Sequence, residues 1–112
     1  MTKDWDELNQ KERKLSEQLE EMSHRRFRVE QILRDFEDYD RSLYFSENDL
    51  WEASLGSRYA YQLEERNQEL QYHRRQMFHD FCDCIDSLKK EERRIEDDIE
   101  AIYYKKRKES LK

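Results

Sequence analysis

The densest group of reactive side chains in the chain is "HDFCDCID", His79 to Asp86, which holds an imidazole, two thiols and three carboxylates. Metal binding is the chemistry such a group could do. A tetrahedral zinc site needs converging ligands. On a helix His79 and Cys82 share a face, but Cys84 points about 200° away from Cys82. No second cluster supplies the remaining ligands. The same divergence excludes a Cys82–Cys84 disulfide, and a cytosolic setting disfavours one between chains. The expectation is therefore no metal, with Cys84 in an apolar seam and Cys82 beside it.

The other chemical candidates dissolve in the same way. Carboxylates are abundant, with 28 Asp plus Glu, but none adjoins a Gly-rich loop or a pocket-forming strand. Glu91 with Arg94, and Glu92 with Glu96, read as solvated helix faces. His24-Arg25-Arg26 and His73-Arg74-Arg75 look like matched triplets, but their offsets to the following Asp-Phe differ, so they are not an internal repeat. No Ser–His–acid set stands out. The chain is expected to be no enzyme and to need no cofactor.

Charged residues make up 45% and apolar residues 35% of the 112, which is one domain, 1–112, with little area for a globular core. One Gly and no Pro leave almost nothing to break a helix. The net charge of −6 lacks the basic footprint of a nucleic-acid binder. Residues 103–112 carry a net +4, which leaves −10 for the rest. Cations in that place suit the end of a helix. The start, "MTKDWDELNQ", has no apolar signal region, and no stretch reaches the length of a membrane span. A cytoplasmic location is expected, with any co-export taking a non-classical route.

Leu8, Leu15, Met22, Val29, Phe36, Leu43 and Leu50 recur every seven residues, and Leu19 and Leu33 widen the stripe. This predicts a first helix over about 4–44. Leu63, Leu70, Met77 and Cys84 share one heptad position, and Phe81, Leu88, Ile95 and Ile102 share another. Together they predict an a/d seam on a second helix over about 58–108. Between them, at about 45–57, lies "FSENDLWEASLGS". Ser46 with Asp49 resembles a capping box, Gly56 a C-terminal cap, and Ser57 an N-cap. A short helical turn at 47–55 accounts for the stretch. The expected fold is all-α: an antiparallel, coiled-coil-like two-helix hairpin.

Folding back near Trp51 pairs Leu15 with Leu88, Leu8 with Ile95 and Met22 with Phe81. Ile99, Ile102 and Tyr103 would then overhang the first helix. Phe78, Cys82, Ile85, Ile99 and Tyr103 also form a second apolar stripe beyond the seam. A helix with two stripes is built for more than one neighbour. The hairpin is expected to complete a bundle with a partner chain or a second copy. The expected interface is Phe78, Ile85, Ile99, Ile102 and Tyr103. Trp51 either joins it or packs the end of the hairpin.

The hairpin length, the absence of Pro, the aromatic-rich "FEDYDRSLYF" and the charged end "KKRKES" resemble the LXG-toxin-associated α-helical (Lap) proteins. These are small helical proteins of Gram-positive bacteria found beside LXG toxins of the type VIIb secretion system. In the related W-x-G proteins Trp and Gly are one residue apart. Here "WEASLG" puts four residues between Trp51 and Gly56. Aromatic residues followed four later by an acid (Phe36/Asp40, Phe45/Asp49, Tyr61/Glu65) are no commoner than composition predicts. The place of an export signal after the second helix is filled by Tyr104 with Lys108. The resemblance implies a non-enzymatic targeting factor or chaperone. Its partner would be the helical LXG domain of a toxin, with or without a second small helical protein. A structural hairpin of a flagellar or type III export stalk is the alternative.

Overall fold

The structure is a computed structural model that describes residues 3–111. Two helices account for nearly all of them, α1 (Lys3–Ser54) and α2 (Ala60–Ser110), with no strand among the described residues. The chain is an all-helical, antiparallel two-helix hairpin. Asp4 and Asp6 in the first turn of α1, and Arg107 and Lys108 in the last turn of α2, each oppose the local helix dipole.

The connection is shorter and later than the sequence suggests. α1 does not stop near residue 44. It runs through Ser46 and Asp49 without a break, so no capping box forms and no separate helical turn exists at 47–55. Capping residues without a Gly or Pro beside them do not end a helix whose interior positions are good helix formers. Gly56 supplies the stop: its φ of +83° is a left-handed conformation that strains any residue with a Cβ. The Ser57 N–H donates to the Ser54 carbonyl at 2.9 Å. The Ser57 hydroxyl accepts from the Tyr59 N–H at 3.2 Å, a local turn that precedes α2; the helix begins at Ala60, so Ser57 stands before the expected capping position.

The chain divides into two compact units, one built from the residues up to Arg28 with those from Ile85 onward, the other Val29–Cys84. In the first unit the two helices are held by a short apolar seam and by ions. Ile85, Ile95 and Ile102 are its buried apolar residues, and Ile95 keeps only 2% of its surface. Leu88 and Ile99 are half-buried beside them, as are Leu8, Leu15, Leu19 and Met22 of α1. The Arg26 Nε donates to Glu92 Oε1 at 2.7 Å, and Lys106 Nζ lies 3.2 Å from Glu12 Oε2. Lys106 also stands 5.4 Å over the Trp5 ring. The end of α2 therefore lies against α1, not beyond it.

The seam of α2 is half of the one expected. Phe81, Leu88, Ile95 and Ile102 do face inward. Their companions are Ile85, Glu92 and Ile99, in place of Leu70, Met77 and Cys84, which are exposed. Ile85, Ile99 and Ile102 thus belong to the hairpin's own packing. The physical reason is the turn: with the chain reversing at 55–59 instead of near 51, α1 reaches far enough to cover them.

In the second unit Phe36 meets Phe81 with ring centroids 5.8 Å apart. The seam then changes period. After Leu43 the half-buried positions of α1 are Glu47, Trp51 and Ser54, while Leu50 is exposed. On α2 they are Leu63, Asn67, Gln71 and Arg74. Spacings of four and four replace the three-and-four alternation on both helices. Such an eleven-residue pattern rotates the contact line away from a strict heptad.

Candidate functional site

Among the described residues no group of three or more His, Cys, Asp or Glu is placed to hold a metal ion. Cys82 is half-buried and Cys84 exposed, both as free thiols. Among the described residues, no helix is long and apolar enough to cross a membrane. What the molecule offers is surface.

That surface is unevenly distributed. All four buried residues lie in the first unit, and the second unit buries none. Yet most of the large apolar side chains left in solvent belong to the second unit. Its seam explains the inversion. Asp40, Glu47, Asn67, Gln71 and Arg74 share the inward places with Phe36, Leu43, Trp51, Leu63 and Phe81, and many other apolar residues stand on the flanks.

One flank carries Ile32 and Tyr39 of α1 with Leu70 of α2, each immediately preceding an inward position, and Met77 one heptad on from Leu70. In an antiparallel pair such positions lie on the same side. Nearer the turn, Leu50 and Leu70 share the lining of a cavity of about 190 Å³ with Trp51, Leu63 and Asn67. The opposite flank holds a groove of about 510 Å³ where Phe36, Tyr44, Phe45 and Phe78 alternate with Arg41 and Arg75.

Beneath both flanks is an ionic floor. Arg74 forks onto Glu47, with Nη1 donating to Oε2 at 3.1 Å and Nη2 to Oε1, while its Nε lies 3.1 Å from Asp40 Oδ1. The hydrogen bond to Glu47 and the two nearby carboxylates hold the guanidinium above its ordinary pKa, although burial opposes them. The Asp40 contact is a charge contact without hydrogen-bond geometry, since Oδ1 is buried and accepts no hydrogen bond. Asn67 Oδ1 is buried and unbonded too.

No family model, curated protein or solved structure matches the chain. Function has to be argued from these surfaces.

The residues expected to form an interface separate into three groups. Ile85 and Ile102 are buried and Ile99 half-buried within the first unit, so the free second stripe they were to form does not exist. Tyr103 is exposed and meets Tyr104 edge-on at 6.0 Å. Phe78 lines the groove, and Trp51 the cavity near the turn. Sequence reasoning missed Ile32, Tyr39, Leu70 and Met77 as surface. Ile32 and Tyr39 stand one residue before Leu33 and Asp40, a phase offset that was the available signal.

The chain exposes more surface than a compact protein of its mass. The chain exposes 9446 Å². A compact monomer of 14.1 kDa exposes roughly 6,700 Å² by the usual mass scaling. The surplus is roughly three times the ~800 Å² that a standard interface removes from each partner, and an elongated helix pair accounts for much of it.

Proposed function

We propose that the protein is a non-enzymatic helical adaptor whose second unit packs against another helical protein. One observation carries the reading: the unit that buries nothing leaves Ile32, Tyr39, Leu70 and Met77 exposed, at positions that heptad spacing assigns to one flank. A monomer gains nothing from apolar residues in that place, whereas a third and fourth helix laid on the flank would complete a bundle. The resemblance to Lap proteins gives this partner a class, the helical LXG domain of a type VIIb toxin, alone or with a second small helical protein. In that role the chain would act in the cytosol as a targeting factor, holding the toxin's helical domain in a form fit for export.

The test is Tyr39→Lys with Met77→Lys, measured by titration calorimetry against a purified LXG domain. Neither side chain is buried, so helical circular dichroism should be unchanged. Two apolar anchors lost at an interface centre cost about 3 kcal/mol, which weakens binding by about two orders of magnitude. Unchanged affinity removes this flank as the docking face. Light scattering on the chain alone separates the export-stalk alternative, which requires self-association without a toxin.

A further inference from the structure

The ionic contacts between the helices follow a spacing. Three of them use Glu12, Arg26 and Asp40 on α1, each two heptads from the next, with signs negative, positive, negative, and Glu47 adds a further contact by sharing Arg74 with Asp40. On α2 their partners are Lys106, Glu92 and Arg74, with the signs reversed. Lys106 and Glu92 are also two heptads apart. These groups occupy inward positions: Glu92 is the one buried charged residue among those described, and the side chains of Lys106 and Arg74 are mostly covered.

An apolar heptad seam does not choose its own register. If α2 slips by two heptads so that Leu8 meets Ile95, then Leu15 meets Leu88 and Met22 meets Phe81. Three apolar pairs form in place of those lost, while Val29 and Phe36 come opposite Arg74 and Asn67. The charges are not indifferent. That slip puts Glu12 opposite Glu92 and carries Lys106 past the start of α1, and only Arg74 gains a new carboxylate, at Glu30. The opposite two-heptad slip sets Arg26 against Lys106 and Asp40 against Glu92. Slips of one heptad bring Arg26 to Ile85 or Ile99, and Glu92 to Leu19 or Leu33. Each alternative buries like charges together or a charge against hydrocarbon, and either is costly.

We infer that these ionic layers of alternating sign are a register lock for the hairpin. Half-buried charge placed in a coiled-coil seam is best used for this purpose, selecting one alignment among several that apolar packing allows. The lock also fixes the flank of the second unit, because the alignment decides which residues of the two helices share it.

Cross-linking in the full chain reads the register directly. Ser23→Cys and Glu96→Cys are introduced with Cys84→Ser, and Cys82 is kept. A short bis-maleimide should join position 23 to position 96 in the observed register, and to Cys82 after the two-heptad slip. The mapped bridge of this parent is expected at 96. Adding Glu92→Lys makes position 92 repel Arg26 and attract Glu12, so the larger share of the bridge should move to Cys82. Adding Arg26→Glu as well should return it to 96. If Glu92→Lys unfolds the chain instead, recovery of helical circular dichroism and of the 96 bridge by Arg26→Glu still supports the lock. A bridge that stays at 96 in Glu92→Lys with an unchanged melting temperature overturns it. So does a charge-reversed pair that restores neither signal.

Discussion

Replacing Ile95 by Ala tests the inner seam where it is tightest. Ile95 retains 2% of its surface, the least of the apolar residues in the core. Its three lost side-chain carbons carry about 2.4 kcal/mol of transfer free energy, at roughly 0.8 kcal/mol per methylene. An unfilled cavity adds to this, and buried Ile→Ala changes span about 2–5 kcal/mol. The seam here is a single layer between two helices, so neighbours such as Leu88 can relax inward. That argues for the lower half of the range, about 3 kcal/mol. For a chain of this size such a loss lowers the melting temperature by roughly 12–20 °C. The assay is urea or thermal unfolding followed by circular dichroism, with Met77→Ala as the control. Met77 is exposed, and its truncation should change stability by no more than about 0.5 kcal/mol. If Met77→Ala costs the chain more than Ile95→Ala, the Leu70, Met77 and Cys84 face is the true seam and the packing described for α2 is wrong.

Two further outcomes follow from single features. Gly56→Ala should cost about 1 kcal/mol in a urea melt, from backbone strain alone, because a Cβ there meets nothing within 4 Å; Gly56→Asn should cost less, since Asn tolerates the left-handed region. Arg74→Met should destabilise by about 1–2 kcal/mol, because it leaves the mostly covered Glu47 and the half-buried Asp40 without their cation, and adding Glu47→Met should recover part of the loss.

The turn and the helical class were legible for reasons that survive in the structure. A lone Gly in a chain without Pro marks the place where a helix can stop, and Gly56 fills it. The Phe81, Leu88, Ile95 and Ile102 series was legible because three of its four members are β-branched or aromatic and all keep strict sevens. The end of α1 was not, because Ser46 and Asp49 imitate a cap that only a chain reversal would make real. Nor was the alignment, since two-heptad slips superimpose Leu on Ile and Met on Phe. The information that breaks this tie lies in Glu12, Arg26, Glu92 and Lys106, charges that a hydrophobic count discards as surface.

The same blindness hid the candidate interface. Counting apolar residues at sevens assigns Leu50, Leu70 and Met77 to a core, since it presumes that oily positions are inward ones. In the second unit that presumption fails. Arg74, Asn67 and Glu47 take the inside, and Leu50, Leu70 and Met77 take the flank. A hairpin stabilised only for itself would have no use for this inversion, because a polar seam contributes little and exposed side chains contribute nothing. The arrangement gains meaning if the unit's main apolar contacts are made with another chain. Its own seam then needs only to keep two helices aligned, which ions do well. The buried core is concentrated in the first unit, through Ile85, Ile95 and Ile102, and the proposed function places association in the second. Ile95→Ala should accordingly reduce stability more than intrinsic partner affinity, and Tyr39→Lys with Met77→Lys the reverse. A calorimetric titration of both variants well below their melting temperatures, where each is folded, would show whether the two functions of the hairpin are separable in this way.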